Sequence, residues 1–231
     1  MMRKLLLCCL VLVTGASAQA PVAAEQEPFH KQIFRNENVQ VVGVEIPPHQ
    51  TTQLHRHEHD YLAVSLTDAT VTTTVPGKDT VQEKRQRGEA RMGKPVVHAV
   101  RNDGNTPYRA TAAEFLVPQG EVKPVNDKPS RYCNPNSKTA CVAERYLFCT
   151  ARICVSDVEM GPGAVTMKHS HSTDHMVIAV SDLDMKDWIE GQAAAVMRQQ
   201  KSGEVLFVAA GITHQLVNGP TTARMIVVSW K

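Results

Sequence analysis

Eight of the ten histidines in this chain fall into two short constellations. The first is His55, His57 and His59, with His98 further along. The second is His169, His171 and His175, with His214 further along. In an extended strand, side chains two apart share a face. An HxH pair can therefore aim two imidazoles at one point while a later histidine joins from another strand. Buried neutral imidazoles need partners, and a single transition-metal ion satisfies several at once. Core histidines have no reason to gather in this way. His30 and His49 lie outside both groups and are assigned no role.

The elements that must hold these residues read as β-strands. From Val41 onward, short apolar runs such as Val41–Ile46, Tyr61–Leu66, Ala110–Val117 and His175–Val180 are broken by Pro, Gly, Asn and Asp. No segment before Pro118 keeps a helical period. The pattern also occurs twice. Val44–Asp68 lies over Val158–Asp182 without a gap, and eight of those 25 positions are identical, His55, His57 and Asp60 among them. Gly88-Glu89 then matches Gly203-Glu204, and the HxxxN of His98 and Asn102 matches that of His214 and Asn218. An internal repeat outranks other fold signals.

Residues 1–18 read as a secretory signal peptide: Arg3 and Lys4, an apolar run, then Ala16-Ser17-Ala18. The apolar run is too short to span a membrane. Secreted or periplasmic localisation follows. Losing Arg3 and Lys4 takes the formal net charge from +2 to about zero, so nothing suggests a nucleic-acid partner. The one basic cluster, Lys84 to Arg87, reads as a solvated strand edge. Residues 19–40 read as an arm adding one edge strand, and 118–153 as a linker rich in Pro, Asn and Lys. Four cysteines remain after removal of the leader. In an exported protein an even number favours disulfides, and nearest-neighbour pairing gives Cys133–Cys141 and Cys149–Cys154. A zinc site is the alternative, but short CxxC pairs are missing.

HxH, then an acidic or histidine position, then a GxxHxxxN-like stretch resembles the cupin superfamily, and two copies resemble a bicupin. The resemblance covers 41–117 and 154–231. It implies an all-β fold of two tandem jelly-roll-like barrels, each holding a metal. It also implies His55, His57 and His98 as ligands of one site and His169, His171 and His214 of the other, with His175 added by position. The family's usual glutamate is missing: Tyr61 and His175 stand in its place. Asp60 and Asp174, one residue earlier, either orient a ligand imidazole or make a turn or cross-strand contact. Without a clear carboxylate, Zn, Fe, Ni or Cu suits the sites better than Mn. Tyr61 is the catalytic candidate in the first site, as proton donor or substrate contact, with a barrel-wall role as its alternative.

Two functional classes stand. One is a metal-dependent enzyme acting on a small molecule, of the dioxygenase, decarboxylase or isomerase kind that the resemblance implies. The other is a non-catalytic small-ligand or metal-binding protein. Exposed β edges would favour a homodimer.

Overall fold

The computed structural model describes residues 20–231, so the leader read from residues 1–18 lies outside it. The described residues are all-β apart from one 3₁₀ turn, Ala24–Gln26. The first half contains β1 (Val22–Ala23), β2 (His30–Arg35), β3 (Val39–Ile46), β4 (His55–His57), β5 (Tyr61–Ser65), β6 (Ala69–Thr74), β7 (Val81–Arg85), β8 (Ala90–Gly93), β9 (Val96–Asn102) and β10 (Tyr108–Phe115). Two short strands follow, β11 (Lys123–Pro124) and β12 (Ser130–Cys133). The second half contains β13 (Cys141–Cys149), β14 (Ile153–Met160), β15 (His169–Ser170), β16 (His175–Ala179), β17 (Leu183–Ile189), β18 (Val196–Gln200), β19 (Val205–Val208), β20 (Thr213–Asn218) and β21 (Ala223–Trp230).

The repeat seen in the sequence is a repeat of topology. The first half stacks a β2-β3-β10-β5-β8 sheet on a sheet containing β4-β9-β6-β7. The second stacks β13-β14-β21-β16-β19 on β15-β20-β17-β18 in the same order. Each unit begins one strand earlier than the sequence similarity, with β2 and β13. Strand β2 is mostly exposed while β13 is mostly buried or half-buried, so the two share no apolar pattern to align. Both ends of β13 are stapled by disulfides, Cys133–Cys141 to β12 and Cys149–Cys154 to β14. This is the nearest-neighbour pairing.

Strand alternation sorts residues between two destinations. Along β5, Tyr61, Ala63 and Ser65 face the interior of their own unit, while Leu62 and Val64 face the other unit. Along β16, His175 and Val177 face inward while Met176 and Ile178 face across. The outward rows of both halves interlock in one apolar core that also contains Phe115, Phe148, Ile226 and Val228. The sheets are buried on both faces there, which is why these strands read as unbroken apolar runs. Polar clasps surround that core: Arg109 Nη2 donates to Ser202 O at 2.8 Å, and Arg87 Nη2 to Val180 O at 2.9 Å.

The asparagines of the HxxxN pairs hold the frame. Asn102 Nδ2 donates to Ile46 O at 3.0 Å, and Asn218 Nδ2 to Met160 O at 2.9 Å. Each ties the end of the third histidine's strand to the end of the strand that precedes the HxH loop. Among the described residues, no helix is long and apolar enough to cross a membrane.

Candidate metal centres

Cross-strand register brings the histidines together. His55 on β4 pairs directly with His98 on β9, and His169 on β15 pairs with His214 on β20. His57 and His171 each come from two residues further on. One ring nitrogen from each of His55, His57 and His98 lies within 4.8 Å of the others. The same holds for His169, His171 and His214. The two clusters consist of imidazole alone.

Hydrogen bonds fix which nitrogen is free. His55 Nδ1 contacts Gln53 O at 2.9 Å, and its repeat partner His169 Nδ1 contacts Met167 O at 2.8 Å. A carbonyl oxygen only accepts, so Nδ1 carries the proton in both rings and Nε2 keeps its lone pair. His57 Nδ1 meets Glu114 Oε1 at 2.6 Å, and His214 Nδ1 meets Asp187 Oδ1 at 2.8 Å. Carboxylate partners of this kind orient a ligand imidazole and raise its basicity. The two units use different ones: Glu114 sits on β10, Asp187 on β17. Neither was visible in the sequence, because each lies on a strand far from the HxH segment. His214 Nε2 is buried with no hydrogen-bond partner. Such an orphaned acceptor at the meeting point of three imidazoles fits a metal ion.

Enclosure favours the neutral form of five of these rings. Burial, reinforced by neighbouring imidazoles, lowers His98 to about 3 and His55, His171 and His175 each to about 4. Burial lowers His214 as well, against the opposing pull of Asp187. Neutral imidazole is the form that binds a metal.

The remaining expected residues are placed as follows. Tyr61 stacks on His57, ring centroids 4.2 Å apart and planes at 17°. His175 does the same to His171, at 3.8 Å and 27°. His175 thus lies beside the three-nitrogen cluster, in the position Tyr61 occupies in the first unit, and is not part of it. Gly93 pairs with Tyr61 across β5 and β8, and a Cβ there would stand 2.2 Å from the phenol ring. The smaller His175 faces Val208. Burial raises the Tyr61 hydroxyl above its ordinary range, so it keeps its proton. Asp60 and Asp174 accept from backbone N–H groups distant in sequence and contact no imidazole through a hydrogen bond. Asp60 Oδ2 accepts from Gln119 N at 2.7 Å, and Asp174 Oδ1 from Ala210 N at 2.8 Å. Strict alternation turns both away from the histidines. His59 likewise stays outside the cluster.

His30, given no role from the sequence, is part of the first site. Its ring lies edge-on to His55 with centroids 4.8 Å apart. The arm that carries it is bound in place. Strand β1 pairs with β4 at Val22 and His55, and the buried Glu27 accepts backbone N–H groups of Phe29 and Gln53 at 2.6 and 3.0 Å. Strand β15 lacks such a neighbour and is an edge strand. This explains why His55 and His57 are buried while His169 and His171 are half-buried. The basic cluster also departs from expectation. Lys84 points to solvent, but alternation on β7 turns Glu83 and Arg85 inward.

Each triad opens onto a cavity, about 420 Å³ in the first unit and about 480 Å³ in the second. The second is the more apolar, with Met160, Leu183, Met185, Leu206 and Met225 in its wall.

Two expectations follow. Glu114→Gln should weaken metal affinity at the first site, and Asp187→Asn at the second, each by about 10–100-fold. A chelator-competition titration of each variant checks this. The metal-free protein should also lose stability as pH falls. The lowered histidines leave the folded state with fewer bound protons than the unfolded state below the ordinary value of 6.5. Stability is therefore complete above about pH 7 and declines down to the folded values near 4 and 3. Thermal melts between about pH 7.5 and 4.5, roughly the window that linkage sets, should show a falling midpoint.

No protein-family model and no curated relative matches the sequence. Solved structures do match. A cupin 2 conserved barrel domain protein from Leptotrichia buccalis superposes with a TM-score of 0.52 at 10% identity, over 87% of this chain and 88% of that one. An oxalate decarboxylase variant from Bacillus subtilis gives 0.57 at 12% identity, over 87% and 71%. A salicylate 1,2-dioxygenase variant from Pseudoaminobacter salicylatoxidans, in complex with gentisate, gives 0.58 at 13% identity, over 90% and 76%. At these identities the likeness is one of fold. The chain thus has the fold of these cupin proteins, with two such barrels in tandem.

Proposed function

We propose that this protein is an exported metal-binding bicupin whose first barrel is a metal-dependent enzyme acting on a small molecule. The observation that carries the reading is the pairing of a three-imidazole cluster, the His55 and His57 tautomers fixed by Nδ1 contacts, with a cavity of about 420 Å³. That volume suits a small organic molecule. His55, His57 and His98 hold the metal of the first barrel, and His169, His171 and His214 that of the second. A bound Zn, Fe, Ni or Cu supplies a Lewis acid, and Fe, Ni or Cu a redox centre as well.

The chain's own residues do the rest. Glu114 holds the His57 ring in orientation. The apolar wall excludes water. Tyr61 keeps a proton on its hydroxyl at the cavity wall and offers it to a substrate oxygen, as hydrogen-bond donor or acid. The two disulfides and the leader support export to an oxidising compartment. Fold neighbours that include a decarboxylase and a dioxygenase make those reaction types the ones to try first.

The second barrel favours the other reading, non-catalytic binding of a metal or small ligand. It has His175 where the first has Tyr61, and its cavity wall is more apolar.

The test is turnover. Metal-loaded mature protein is incubated aerobically with a panel of small organic acids and phenols, and products are followed by NMR. Activity should vanish in His98→Ala, fall about 10–1000-fold in Tyr61→Phe (the span of a lost acid or a lost hydrogen bond) and survive in His214→Ala. Full metal occupancy without turnover of any compound would move the first barrel to the binding reading as well.

A further inference from the structure

The wall of the first cavity carries a charged group that the chemistry above leaves unused. Arg85 ends β7, its side chain is only 16% exposed, and it lines the cavity. Its Nη2 is 2.7 Å from Glu83 Oε2. Its Nη1 is buried and has no hydrogen-bond partner. An unsatisfied buried guanidinium N–H is costly, so the arrangement calls for an acceptor.

The neighbouring charges do not supply one. Arg91 also lines the cavity, and it donates to Glu89 through Nε at 2.6 Å and to Glu83 through Nη1 at 3.1 Å. Glu83 is thereby shared between two arginines, and Glu83 and Glu89 together balance both of their charges. Glu114 is engaged with His57. What stays unmet is a hydrogen-bond acceptor for Arg85 Nη1. Elsewhere the wall is largely apolar, with Val44, Ile46, Val71, Val100 and Ala110. Arg85 is close enough to Tyr61 for its charge to act on the phenol, and Tyr61 lies against His57. Arginine and imidazoles therefore face one small volume.

The second barrel lacks the feature. Arg85 pairs with Ala69 where Gln200 pairs with Leu183, so Gln200 holds the corresponding place. Its nearby Arg198 has Nε occupied by Asp187 at 3.0 Å.

We infer that the first cavity takes a small molecule bearing a carboxylate, which Arg85 receives while another part of the molecule faces the three-imidazole centre. A guanidinium meets a carboxylate through two parallel N–H···O bonds, and the apolar wall accommodates the body of the acid. Arg85 is a specificity residue on this account. The inference rests on the first barrel being the reacting site, but its test needs no turnover.

Binding of acetate, malonate and benzoate to the mature chain is measured by calorimetry, with and without bound metal, against acetamide, malonamide and benzamide. At least one acid should bind more tightly than its amide. Arg85→Gln should weaken that binding by roughly 10–100-fold without changing metal content. Glu83→Gln, which releases the second guanidinium nitrogen, should tighten it, a gain that a merely structural Arg85 would not produce. Acids binding no better than amides, or affinities unmoved by both substitutions, would overturn the inference. Acid binding through Arg85 in a protein that takes up no metal would support it while removing the metalloenzyme reading.

Discussion

The site depends on cross-strand register. His55 opposite His98, and His169 opposite His214, are single rungs of antiparallel ladders. A slip of one residue would turn the imidazoles of the slipped strand to the other face. Register therefore has to be fixed from outside the site. Asn102 and Asn218 do this by locking the ends of β9 and β20 to the ends of β3 and β14. The two polar clamps and the two histidine rungs form one repeated device.

Placing imidazoles in a dry interior costs free energy, and the folded frame must offset it. The pull on His98, from its ordinary value to about 3, shows how strongly the enclosure disfavours charge. The offset comes from the core between the barrels. Large apolar side chains there contribute about 1.5–3 kcal/mol each when fully buried, and Leu62, Phe115, Ile153, Met176, Ile178 and Ile226 are wholly enclosed. The same strands carry the cavity-facing residues on their alternate positions. Stability and chemistry thus occupy opposite faces of one sheet. The two barrels are not equal in this respect. The arm adds β1, Glu27 and His30 to the first, while β15 stays at an edge. The first centre is accordingly the more enclosed.

Much of this was legible in the chain. HxH and HxxxN are short-range patterns whose spacing encodes a shared face and a strand end, and their repetition exposed the tandem fold. The cysteine pairing followed from proximity in sequence. What stayed hidden depends on which strands become neighbours. Glu114 and Asp187 reach His57 and His214 from strands 57 and 27 residues away. His30 arrives by way of an arm whose polar composition looked like a tail. Arg85 belonged to a basic run that read as solvated, and only the pleat of β7 divides that run into inward and outward residues. Asp60 and Asp174 are engaged by backbone N–H groups of Gln119 and Ala210. The carboxylate then had to come from elsewhere, and each barrel found its own.

The central claim is that the chain carries two separate three-imidazole metal centres, one per barrel. Elemental mass spectrometry of the mature protein, produced without a histidine tag and reconstituted with transition metals, tests it most directly. The account predicts about two equivalents per chain, with one lost in His98→Ala and the other in His214→Ala. A wild-type protein that takes up no metal, or variants that both retain the full complement, would contradict it.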